Sequence, residues 1–214
     1  MDWASLARYV AATALQLGMM VLAMLALDRF LLPRLPIFAQ TAFVAVWFLG
    51  NSFFSRKFSV LDNSRPTLDS ERSAISSRLR PSWMPPPIVF PIVWSSIGLL
   101  RCAASTLVWG QTGALATPAL IAFMTHLCIG DTWNTINNKE QRLGVASVGV
   151  LFVLGSAAAT VNAYFATLPL AGYVLSPLVI WLCVATALVW DIWRINGGAA
   201  VYPLYPTVGS SKVA

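Results

Sequence analysis

RPSWMPPPIVFPIVW occupies residues 80–94 and holds five prolines, two tryptophans and one charge. Proline locks φ near −65° and pushes its predecessor to extended backbone, so residues 80–86 read as a stiff, extended loop. Pro87 or Pro91 then falls in the first turns of a helix, where a missing N–H costs little. Upstream lies the chain's long polar stretch, SRKFSVLDNSRPTLDSERSAISSRLR, and downstream a long apolar run. The proline cluster is thus a boundary between loop and helix. It either only starts the helix or holds Trp83 rigidly over what the helix packs against.

Working outward, the 214 residues are 57% hydrophobic and only 10% charged, against about 25% charged in soluble domains. A membrane protein follows. Six continuous apolar segments are seen: Ser5 to Leu32, Ile37 to Phe54, about Pro87 to Trp109, Thr117 to Trp133, Leu143 to Phe165 and Leu170 to Trp193. A span needs about 20 mostly apolar residues. Barrel strands would alternate in polarity over roughly 10 residues, which these runs do not. The fold class is all-α, a polytopic membrane helix bundle. The first segment is too long for the apolar core of a secretory signal, and is expected to be a real span. The Ser- and charge-rich loop is expected to be partly disordered, and the tail at 197–214 flexible.

The net charge of +6 is distributed unevenly. With six spans, eleven basic residues fall on the side of the termini and the 55–86 loop, and only Arg29 and Arg34 on the other. The positive-inside rule puts both termini and that loop on the cytoplasmic-equivalent side of a multi-pass protein. No basic patch alternates with stacking aromatics, so nucleic acid is not an expected partner. Lipid is.

Chemistry-bearing residues are few. Trp94, Gly98, Arg101 and Ser105 share one helical face by their spacing. An arginine deep in a span must face a partner or a wet cavity. Arg101 lies about eight residues, roughly 12 Å, from the Trp109 end, and the antiparallel fourth segment brings His126 to that depth, with Asp131 a turn further. Arg101 can pair with Asp131, bond neutral His126, meet an anionic ligand group, or snorkel to the interface. His126 is the chain's one histidine. It cannot build a zinc site, which needs three or four ligands, but can pack by hydrogen bonding or act as an axial haem ligand. Cys102, Cys128 and Cys183 all sit in apolar runs and read as small buried hydrophobes. No GxSxG, HExxH or phosphate loop is present, and nothing argues for an enzyme. Trp47, Trp83, Trp109, Trp133, Trp190 and Trp193 lie near segment ends or in the proline loop, as an aromatic belt would, whereas Trp94 and Trp181 lie deeper. Gly155 and Ala159 give a small-xxx-small spacing that serves either packing within the bundle or association with a second copy.

These residues resemble a known pattern. Pro81-Ser82-Trp83-Met84-Pro85-Pro86, Phe90-Pro91-Ile92-Val93-Trp94 and Leu107-Val108-Trp109 are similar to the signature of the TspO/MBR family, the tryptophan-rich sensory proteins and translocator proteins (peripheral benzodiazepine receptors). Leu168-Pro169-Leu170-Ala171, Pro177, Trp181, Ala185-Thr186, Trp193-Arg194 and Asn196 match a second block. Trp133 and Arg142-Leu143-Gly144 match more weakly. The resemblance implies a five-helix membrane domain over 37–196, containing the 55–86 loop, with one additional N-terminal transmembrane helix over 1–36. It also implies a pocket for porphyrins, and in some members for cholesterol or synthetic drugs, closed by the first long loop. Some bacterial members are linked to light-dependent porphyrin breakdown, and plant members to stress and haem scavenging. By motif position the pocket tryptophans are Trp94 and Trp181, with Trp83 in the lid.

Departures from the family pattern are Val189 for an asparagine in the last helix, Gly130-Asp131 for Asn-Trp, Asn134 and Thr135 for prolines, and Arg101 for an apolar residue. The expected function is binding of a flat hydrophobic small molecule, a porphyrin, haem or similar tetrapyrrole, for transport, sequestration or stress sensing. The expected ligand-binding residues are Trp83, Trp94, Gly98, Arg101, His126, Asp131, Trp133 and Trp181, with no catalytic or metal residues and no required cofactor. The alternative is a non-catalytic scaffold or assembly factor that has lost the pocket, its partner a second copy or another membrane protein.

Overall fold

The computed structural model describes residues 2–61 and 78–201. Most of the polar loop and of the tail expected to be loose, residues 62–77 and 202–214, lies outside the described residues. Six helices build the described chain: α1 (Trp3–Ala26), α2 (Ile37–Phe54), α3 (Val89–Thr112), α4 (Pro118–Asn134), α5 (Leu143–Thr167) and α6 (Pro169–Ile195). They match the six apolar segments because a chain with no water around it must satisfy its backbone within each segment. Their ends are written locally. Pro33 closes the single turns that extend α1, and Gly113 ends α3 in the left-handed region at φ 72°. The Thr117 hydroxyl caps α4, which opens on Pro118.

Five segments, Trp3–Arg34, Ile37–Phe58, Val89–Thr112, Leu143–Thr167 and Pro169–Ile195, are long and apolar enough to cross a membrane. The fourth apolar segment, α4, is shorter at 17 residues, and nine of those are buried, so lipid has little access to it. It tolerates His126, Asp131 and Thr132 because α1, α3 and α5 enclose it. The bundle has an apolar core with a set of polar residues buried within it, and an apolar outer surface. Gln16, Asn51, Arg101, Ser105, His126 and Asp131 are buried, while Leu22, Phe38, Val46, Phe152 and Ile180 are exposed. Broad exposed apolar surface marks a membrane-facing protein.

The most extensive helix interface is α5 with α6, followed by α4 with α5, α2 with α3, and α3 with α6. Helix α1 packs mainly on α4, and polar contacts stitch it along its whole length. Arg142 pairs with Asp2 at 3.3 Å and donates to the Tyr9 hydroxyl at 3.0 Å. Arg8 and Tyr9 both bond Glu140. Thr13 meets Thr132 at 2.6 Å, and Gln16 donates to Asp131 at 2.8 Å. Near the other end, the Asp28 carboxylate accepts from the Leu115 and Ala116 amides at 2.8 Å. Gly155, Ala158 and Ala159 face outward, with open space over Gly155. That strip therefore does not serve packing within the bundle.

Candidate functional site

The site is built around Arg101, at the middle of α3 and only 7% exposed. Its Nη2 lies 3.1 Å from His126 Nε2 on α4. Guanidinium nitrogens only donate, so Nε2 accepts and the imidazole is the neutral Nδ1–H tautomer. Nδ1 lies 3.1 Å from Ser156 Oγ on α5, and Ser156 passes its own hydrogen to the Val153 carbonyl at 2.9 Å. One consistent relay thus ties α3, α4 and α5 together. The Trp94 ring lies against the cation, 5.6 Å from Arg101 Cζ to the ring centroid. Next on the same face, Ser105 bonds the Tyr164 hydroxyl at 2.6 Å.

The sequence left two protein partners open for Arg101. The structure gives it His126. Asp131 is held by Gln16 of α1 instead, and among the described residues no carboxylate pairs with the guanidinium. Its Nε is buried with no hydrogen-bond partner among the described residues. Among the described residues its hydrogen-bond and ring contacts are a neutral imidazole and an indole face, and the Asp131 carboxylate acts on it through space without a direct pair, so the cation has no paired counter-ion of its own. The Trp181 indole N–H is also buried and unpartnered, and its ring stands edge-on to Phe90 at 5.9 Å.

The remaining expected residues are distributed around this centre. Gly98 lies under Phe53 of α2, whose ring an added Cβ would meet at 2.4 Å. Trp133 donates to the Ala146 carbonyl at 3.0 Å, fastening α4 to α5. Trp83 is 46% exposed in the proline loop and donates to Asp191 on α6 at 2.8 Å. Asn196 bonds both the amide and the carbonyl of Leu79 at 3.0 Å, so the loop is latched to the end of α6 on both sides of Pro81. Trp94, Arg101 and His126 are thus in direct contact, Trp181 pairs with Phe90, and Asp131 and Trp133 serve helix packing. Ser156, Tyr164, Asp191 and Gln16 were not singled out from the sequence. Tyr9, Thr13, Gln16 and Met20 do recur at helical spacing, and that was the readable signal for the α1–α4 contact.

The TspO/MBR family profile matches residues 43–194. The human translocator protein is 34% identical over 122 residues, covering 56% of this chain and 72% of that protein. Protein CrtK of Rhodobacter capsulatus is 30% identical over 121 residues, 56% of this chain and 76% of its own. The tryptophan-rich sensory protein of Cereibacter sphaeroides is 30% identical over 117 residues, 55% and 73% respectively. All of α1 precedes the matched region. With the proline–tryptophan signature on the latched loop and α2 to α6 covering the match, the chain is a membrane protein that belongs to the TspO/MBR family.

Proposed function

We propose that this protein binds a flat, acidic, hydrophobic molecule of the porphyrin or tetrapyrrole type within the membrane, for transport, sequestration or sensing. The observation that carries the reading is Arg101: buried, in contact with Trp94, bonded to a neutral His126, and with Nε unpartnered. An anionic group such as a propionate supplies the missing charge, and a flat ring suits indole surfaces. Trp83, Trp94 and Trp181 are the aromatic contacts in this reading, and the latched loop is the cover. No protein-bound cofactor is needed. Both termini and the 55–86 loop lie on the cytoplasmic-equivalent side, as the eleven-to-two distribution of basic residues supports.

Tryptophan fluorescence of the protein in neutral detergent, titrated with protoporphyrin IX, tests this. Saturable quenching is expected. Arg101→Gln should weaken binding about tenfold or more, since a hydrogen bond to a charged group is worth about 1.5–3 kcal/mol. Trp94→Phe should lower the quenching amplitude. Absence of saturable quenching, or a curve unchanged by both substitutions, rejects the reading. The alternative, a scaffold for a second copy or another membrane protein, is favoured by the outward strip of Gly155, Ala158 and Ala159 on α5.

A further inference from the structure

A second site lies where α1 departs from the family-matched region. A cavity of about 480 Å³ opens between α1, the residues after α2 and the turn after α4, with Arg8, Ala11, Leu15, Val60, Lys139 and Glu140 in its wall. Such a volume falls within the usual range for small-molecule sites. Its polar side is basic. Arg8 and Lys139 line it against the single carboxylate of Glu140. Both Glu140 oxygens are already engaged, one by Arg8 and one by the Tyr9 hydroxyl. Arg8 keeps an open edge, because its side chain remains 55% exposed while paired.

The other side of the cavity is apolar and leads into the bilayer. Val60 is 62% exposed and Leu15 52% exposed, and Met19 and Leu22 continue the same exposed face of α1 at helical spacing. A basic rim above an apolar track that runs down a membrane helix matches an amphiphile with a negative head and an alkyl tail. Free phosphate would leave the track unused. We propose that this cavity seats an anionic phospholipid, its phosphate at Arg8 and Lys139 and one acyl chain along Leu15, Met19 and Leu22. Arginine grips phosphate through paired donors and lysine as a point charge. Because Arg8, Ala11 and Leu15 precede residue 43, one wall of the site lies outside the family-matched region, and it stands or falls independently of the porphyrin reading.

Native mass spectrometry of the full chain, delipidated in neutral detergent and offered equal amounts of phosphatidylglycerol and phosphatidylcholine with the same chains, reads this out. One phosphatidylglycerol should be retained preferentially. Arg8→Gln and Lys139→Gln should each cut that preference about fivefold, the effect of roughly one basic residue on an anionic lipid. Because Arg8→Gln also loosens α1 from Glu140, Ala11→Trp serves as the second variant: it fills the cavity, leaves the ion pairs intact, and should abolish retention of both lipids. Equal retention of the two lipids by the wild type overturns the proposal. So does a preference that survives the double glutamine variant, undiminished retention in Ala11→Trp, or displacement of the lipid by inorganic phosphate at equal concentration.

Discussion

A guanidinium at mid-membrane costs at least about 2.5 kcal/mol on insertion scales, and Arg101 recovers part of that from the Trp94 face and the His126 nitrogen. A cation–π contact contributes about 0.5–2 kcal/mol. The neutral tautomer of His126 matters here, because an imidazolium would repel the guanidinium and could not accept its hydrogen. Asp28 shows the opposite economy. Its carboxylate satisfies two backbone amides in the turn before α4, one of them on Leu115, which is fully buried. Asp28→Ala leaves those donors unmet and should lower stability by about 1–3 kcal/mol. Thermal unfolding in detergent, followed by circular dichroism, checks this, and an unchanged midpoint would show that the turn finds other acceptors. Of these two residues, only Arg101 was legible as a site in the sequence. A lone charge within an apolar run identifies itself, and helical spacing placed Trp94 and Ser105 beside it. Asp28 lies at the end of a span, where a charge is ordinary.

At the scale of elements, the apolar runs made six helices readable, and proline and glycine positions fixed most of their ends. Pairing was readable only between neighbours. The antiparallel step from α3 to α4 brought His126 to the depth of Arg101. By the same logic Asp131 was a candidate for the cation, and the structure instead commits it to Gln16 on a helix 115 residues away in sequence. No local spacing reports a contact of that range. Ser156 was equally hidden, since a serine in a run of small residues reads as packing material. The α5–α6 hairpin offers a check on how tightly these elements fit. A Cβ on Gly172 would stand 2.4 Å from the root of the Phe165 ring, which is itself stacked edge-on against Tyr173 at 4.9 Å. Gly172→Ala should therefore destabilise the protein by about 1–3 kcal/mol through overpacking. A melting temperature equal to or above wild type would mean that the ring moves freely.

Taken whole, the molecule is a TspO/MBR-family bundle with a further helix bonded to the enclosed α4 and to the turns before and after it. That helix gives Asp131 a hydrogen-bond partner other than Arg101, leaving the central cation without a directly paired carboxylate among the described residues. The account thus makes the charge at Arg101 the feature that selects an acidic ligand. The most direct measurement compares the Kd of protoporphyrin IX with that of its dimethyl ester, in wild type and in Arg101→Gln. The wild type should prefer the free acid by about tenfold, equivalent to about 1.4 kcal/mol, and the ratio should fall to near one in the variant. Equal affinity of acid and ester for the wild type, or a preference that persists without the guanidinium, would contradict it.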